Sequence, residues 1–207
     1  MKTKTLQMGL MAVCAALTLV PGGCASVLSN ATDICDVFEE KRGWYRHARK
    51  AEKTWDISIP IMMAFAYKES SFQHDARPPR KKLLGFIPGR RPSSAYGFAQ
   101  ATDETWEDYK RASGHKRARR TKFSDAIDFV GWYLDRTHRK LGIPRHDARQ
   151  LYLAYHEGLT GYARGGWRSN AWLQGAADKV AANSRRYAGQ LASCRRFLDR
   201  GWMGIFG

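Results

Sequence analysis

The stretch Ile61-Met62-Met63-Ala64-Phe65-Ala66-Tyr67-Lys68-Glu69-Ser70-Ser71-Phe72 is apolar for six residues and then turns polar at Lys68 and Glu69. Helical spacing puts Met62, Phe65 and Glu69 on one side of a helix. Ser58 is a candidate cap, and Pro60 is tolerated in the first turn. Burying an ionised carboxylate costs several kcal/mol, so a carboxyl on this apolar face tends to stay neutral and its pKa rises. A proton held near neutral pH is what cleavage of a glycosidic bond requires. The plainer alternative is a glutamate that ends a helix and reaches solvent.

Outward from this stretch the chain reads as helical. Before it, residues 33–55 carry Ile34, Val37, Phe38, Trp44, Tyr45 and Ala48 in a broken helical rhythm that Gly43 interrupts. After it, residues 73–94 are irregular, punctuated by Pro78, Pro79, Gly85, Pro88, Gly89 and Pro92, and rich in Arg and Lys. Loops this long are usually functional or mobile. Thr102 or Asp103 caps a short helix through Trp106 and Tyr109. Residues 125–141 form a further helix, stopped by Gly142 and Pro144. Asp147 caps a helix through Tyr155, residues 158–166 read as loop, and residues 170–197 form a long final helix. No alternating strand pattern extends beyond short stretches, so the fold class is all-α.

The first 23 residues have the basic start and short apolar centre of a secretory signal. The run holds Gln7, Gly9 and Thr18 and ends in Pro21-Gly22-Gly23, which disfavours a permanent membrane span. Gly22-Gly23-Cys24 resembles the end of a bacterial lipobox, with Pro21 in place of the usual leucine. Cys24 is therefore the expected lipidation site and first mature residue; ordinary cleavage near Ala25-Ser26 is the alternative. Residues 24–32 form a linker, 33–197 the folded domain with a basic insertion at 77–94, and 198–207 an apolar tail. Cys35 and Cys194 lie near the two ends of the domain. An exported compartment permits a bridge between them.

The formal net charge is +16. Such a surface attracts anionic partners. Zinc-finger spacing and RNA-binding aromatic signatures are absent from the sequence, so nucleic acid is not the expected partner. Anionic wall polymers or phospholipid surfaces suit an exported chain better. His74, His115, His138 and His146 lack metal-ligand spacing, and no metal or other cofactor is expected.

Three segments stand out in order: Glu69-Ser70, Gly97-Phe98-Ala99-Gln100, and Ala154-Tyr155-His156-Glu157-Gly158. Together, in an exported helical chain, they resemble the soluble lytic transglycosylase (SLT) branch of the lysozyme-like superfamily. The resemblance spans roughly residues 55–187. It implies a lysozyme-like domain that cleaves the β-1,4 bond between N-acetylmuramic acid (MurNAc) and N-acetylglucosamine (GlcNAc) in peptidoglycan, leaving a 1,6-anhydro ring.

By the same resemblance Glu69 is the catalytic acid and base, and Ser70 bonds near the muramoyl group or the carboxyl. Gly97, Phe98 and Gln100 line the groove, with Gln100 contacting substrate or bracing Glu69. Tyr155 orients Glu69 or the sugar, and Tyr187 stands where the family often has a late tyrosine facing the acid, with core packing as the alternative. Trp167, in a glycine-rich loop, is a candidate sugar platform.

The third segment departs from the family's usual Ala-Tyr-Asn. His156 replaces the Asn, as a hydrogen-bonding group, and Glu157 follows. If Glu157 approached Glu69 as a second carboxylate, lysozyme-type hydrolysis would become conceivable. A non-catalytic wall-binding or assembly factor is a further alternative. The basic insertion stands as a lid or as a docking surface for wall polymer or an envelope-machine partner, with a merely solvated insertion as the alternative. A lipidated Cys24 would place the protein in the cell envelope, on the periplasmic face of an outer membrane.

Overall fold

The computed structural model describes residues 28–80, 82–83 and 87–203. The expected signal segment and Cys24 lie outside them, as do residues 204–207 of the expected tail. Seven α-helices account for most of the described chain: α1 Ile34–Glu40, α2 Arg42–Trp55, α3 Ile59–Ser70, α4 Asp103–Ser113, α5 Phe123–Leu141, α6 Ala148–Arg164 and α7 Ala171–Met203. The fold is mainly helical, as the sequence implies.

Helix α3 is the centre. Every residue from Ile59 to Ala66 is buried. A helix that is apolar all round has no face to give to water, so its neighbours must enclose it. Helices α7, α5 and α2 do so. Its start is not capped by the Ser58 side chain. Instead, the Ile59 N–H donates to the Glu52 carboxylate of α2 at 2.9 Å, which satisfies one of the orphan donors of the first turn. Its end is abrupt: Ser71 (φ 50°) and Phe72 (φ 62°) are both left-handed. A bulky residue there is strained. Burial of the Phe72 ring against Trp44 and Tyr67 opposes that strain.

Several element boundaries differ from the sequence reading. The break in the first helical segment falls at Lys41, not Gly43, and α1 is capped by Asp33, which accepts from the N–H groups of Cys35 and Asp36. Residues 158–164 are not loop. Helix α6 kinks at Gly158 (φ 72°, ψ 163°) and then resumes to Arg164. Sequence reasoning takes a glycine after a helical run as a stop; here only that one residue leaves the helical region. Helix α7 continues to Met203, so residues 198–203 extend the helix and are not a separate tail. Within the basic insertion, Lys82–Leu83 (β1) pairs antiparallel with Ile87–Pro88 (β2), where a loop is expected.

Cys35 of α1 and Cys194 of α7 form a disulfide. It joins the two ends of the folded chain, 159 residues apart. Closing so long a loop restricts the unfolded chain by about 4–5 kcal/mol in the chain-entropy model.

The 97–100 segment is a tight turn between α3 and α4. Gly97 has φ 76°, and a Cβ there would lie 2.3 Å from the Arg120 carbonyl oxygen. Both facts require glycine. Tyr96 before it has Arg77 over its ring at 3.9 Å and Arg120 at 5.4 Å.

Two measurements check these constraints. Reduction of the disulfide is expected to lower the urea-unfolding free energy by about 2–5 kcal/mol, while the Cys35→Ser/Cys194→Ser variant is insensitive to reductant. Gly97→Ala is expected to cost about 2 kcal/mol or more and to lower Tm by about 5 °C, as read by thermal denaturation.

Candidate active site

Glu69 stands one residue from the C-terminal end of α3, where the buried helix emerges. It is neither sealed nor free: the residue keeps partial exposure, yet burial pushes its carboxyl up to about 7. Opposing this more weakly are a hydrogen bond from Tyr152 and the positive charge of Lys68. Burial outweighs both because α3 and α6 surround the carboxyl with rings. Phe65, one turn back on α3, meets Tyr152 and Tyr155 edge-on, each at 5.4 Å between centroids. Tyr133 of α5 meets Tyr155 at 5.0 Å.

The two tyrosines divide their work. The Tyr152 hydroxyl lies within hydrogen-bonding reach of the Glu69 carboxyl, and burial together with the charge on Glu69 raises its own pKa. It therefore stays a donor through the physiological range. Tyr155 is close enough for the charge on Glu69 to raise its pKa as well, although burial is the larger cause. Its hydroxyl, however, donates to the Ala99 carbonyl at 2.5 Å. Tyr152 belongs to none of the three segments that the sequence singles out. Its spacing of three from Tyr155 on the same helix was the available signal.

The three segments are brought together by hydrogen bonds. Ser70, expected near the substrate or the carboxyl, is buried, and its hydroxyl is placed against the Ala66 carbonyl at 3.0 Å and the Phe98 carbonyl at 2.9 Å. It ties α3 to the 97–100 turn. Tyr155 ties α6 to the same turn through Ala99. Gln100 does not brace Glu69: its amide nitrogen donates to the Ala76 and Gly97 carbonyls at 2.8 and 2.9 Å. Phe98 is buried, edge-on to Trp44 and Phe123. Its side chain thus points to the core, and only its backbone faces the Ser70 side.

The later candidates are placed as follows. His156 is exposed, with Nδ1 3.2 Å from the Glu157 carboxylate. Glu157 is not among the groups acting on the Glu69 carboxyl. Tyr187 is fully buried; its hydroxyl donates to the Ala31 carbonyl at 2.6 Å and its ring lies near Tyr67, so it packs the core and anchors the N-terminal segment. Trp167 stacks on Tyr162 at 5.3 Å with 12° between planes, while Arg168 lies over its ring at 4.8 Å. Its indole N–H donates to the Tyr162 carbonyl. With those partners it braces the turn after α6, and the expected open sugar platform is not found there.

Many of the basic residues are already engaged. Arg120 meets Asp103 at 2.6 Å and the Ala101 carbonyl at 2.9 Å. Arg195 reaches Glu52, and Arg91 the Pro78 carbonyl. No described helix is long and apolar enough to cross a membrane.

A family model described as a transglycosylase SLT domain matches residues 10–194. No curated protein and no solved structure matches the chain. The matched region takes in the Glu69 carboxyl, the 97–100 turn and the α6 tyrosines, the three parts that hydrogen bonding draws together. The chain belongs to the transglycosylase SLT domain family, a lysozyme-like family of enzymes that act on peptidoglycan.

Proposed function

We propose that this protein is a lytic transglycosylase that cleaves the MurNAc-β-1,4-GlcNAc bond with Glu69 as its single acid and base. The observation that carries this reading is a carboxyl pushed up to about 7 by burial, on a residue that still keeps partial exposure, with no carboxylate among the groups acting on it. At neutral pH a substantial fraction of such a group holds its proton, and it can give that proton to the glycosidic oxygen. As the C1–O4 bond breaks, the GlcNAc O4 leaves as a hydroxyl. The C6 hydroxyl of MurNAc then attacks C1, and the Glu69 carboxylate takes up its proton. The products are a 1,6-anhydroMurNAc end and a regenerated acid, with no water consumed. The Tyr152 hydroxyl holds the carboxylate formed between the two proton transfers.

Hydrolysis by a lysozyme-type pair needs a second carboxylate facing the scissile bond. Glu157 is the candidate that the third segment offers, and it pairs with His156. That arrangement favours the intramolecular route. A non-catalytic wall-binding role fits poorly with a carboxyl kept in an environment that suits proton donation. We further propose that the chain is exported and lipidated at Cys24, which would place the enzyme in the cell envelope on the periplasmic face of an outer membrane. The basic insertion at 77–94 would then be available to an anionic wall polymer or an envelope-machine partner.

One variant tests both chemistry and environment. Glu69→Gln is expected to abolish clearing in a peptidoglycan zymogram, while the wild type releases muropeptides with anhydro ends by mass spectrometry. Equal clearing by both proteins would remove Glu69 from the mechanism, and reducing ends would favour hydrolysis. The same variant changes the pH profile of stability. The folded-state pKa of Glu69 lies above its ordinary value of 4.5, so the folded protein keeps the proton where the unfolded chain releases it. That contribution is fully present below about pH 4.5 and is lost as pH rises through about 7. Urea denaturation should therefore find the two proteins alike at acidic pH. At pH 8 Glu69→Gln should be the more stable by about 2 kcal/mol after solvent screening.

A further inference from the structure

We propose that Trp172 is a sugar-stacking platform on the rim of the Glu69 site, and that Lys68 beneath it selects acidic, muramoyl-type glycans over neutral ones. The inference rests on the glycan-cleaving reading above and assigns that site its specificity.

Trp172, at the start of α7, is 66% exposed. Among the residues whose side chains are described, one other large hydrophobic, Phe197, is as exposed. Five other tryptophans have protein partners. Trp106 and Trp132 are buried, Trp44 stacks on Phe123, Trp55 donates to Asp128, and Trp167 stacks on Tyr162. An indole left this open carries an apolar surface that the fold leaves largely uncovered.

Its position is fixed by two residues that belong to the site. The Lys68 ammonium lies 5.9 Å from the ring centroid, and the His156 ring lies at 5.5 Å, inclined by 61°. Lys68 directly precedes the acid, and His156 directly follows Tyr155. The ring is therefore held at the mouth of the site by neighbours of its two central groups, with most of its surface open to solvent. An indole face is electron-rich. The C–H groups on one face of a pyranose ring are its electropositive complement, and the contact buries apolar surface on both partners.

Lys68 adds a charge criterion. Among the described residues it has no carboxylate within ion-pair distance, although it acts on the Glu69 carboxyl and opposes its protonation. A carboxylate arriving with the substrate would pair with this ammonium and cancel that opposition. Muramoyl sugars bring such a group in the lactyl ether or in the peptide attached to it; oligomers of N-acetylglucosamine do not.

The test uses the Glu69→Gln protein, so that substrate survives, and isothermal titration with two probes. One is a tetrasaccharide of alternating GlcNAc and MurNAc with free lactyl carboxylates; the other is the neutral tetramer of GlcNAc. Adding Trp172→Ala is expected to weaken binding of both by about tenfold, and Trp172→Phe to restore part of the loss. Adding Lys68→Gln should weaken the acidic probe alone. Because the ring is largely exposed, Trp172→Ala should unfold at the parent temperature. In the folded parent, the Trp172 indole N–H resonance, assigned by its loss in Trp172→Phe, should shift on titration with either glycan. Unchanged affinity in Trp172→Ala, or an unmoved indole resonance while glycan binds, would overturn the platform and leave the cleavage reading standing. Equal loss for both probes in Lys68→Gln would overturn the charge selection. Failure of the parent to bind either glycan would overturn the inference together with the reading beneath it.

Discussion

Enclosure of α3 is the constraint from which the rest follows. Its eight consecutive buried residues leave no solvent face through Ala66, so other helices must surround it. The same enclosure desolvates whatever polar group the helix carries where it emerges. That group is Glu69. The site's acidity is thus a by-product of core packing: the interior that stabilises the fold raises the carboxyl's pKa. The opposing influences of Tyr152 and Lys68 are smaller, which is why burial decides the direction.

A second consequence concerns rigidity. The 97–100 turn contains a left-handed glycine and a left-handed glutamine, conformations an isolated peptide would not hold. Two hydroxyls from different helices, Ser70 and Tyr155, clamp its carbonyls, and the Gln100 amide closes it from within. The polar residues expected to touch sugar act largely on backbone instead. Burial explains the difference, since a buried hydroxyl must find a partner, and the nearest acceptors are peptide carbonyls.

Much of this was legible in the chain. The apolar period of α3, the caps Thr102 and Asp147, the Gly142 stop of α5, the cysteine pair and the three site segments were all readable locally. Other features were not. Gly158 reads as a stop, but helical geometry continues beyond it. Ser58 has the right chemistry for a cap, yet Glu52 from another helix supplies the acceptor. Tyr152 looks like any core aromatic until α6 is laid against α3. Trp172 sits at the same spacing as neighbouring core residues of α7, and nothing local says that no element covers it. Each of these depends on a partner distant in sequence.

By itself the sequence determined an all-helical chain, a carboxyl on an apolar helix and three segments of a peptidoglycan-acting family, because periodicity, capping chemistry and short motifs are encoded within a few residues of one another. Only the tertiary structure decided which side chains reach Glu69 and which serve the scaffold: Tyr152 toward the acid, Ser70, Gln100 and Tyr155 to the turn, and Tyr187 and Phe98 to the core. Burial and hydrogen-bond partnership are properties of packed surfaces, and those surfaces exist only once α3, α5, α6 and α7 have come together.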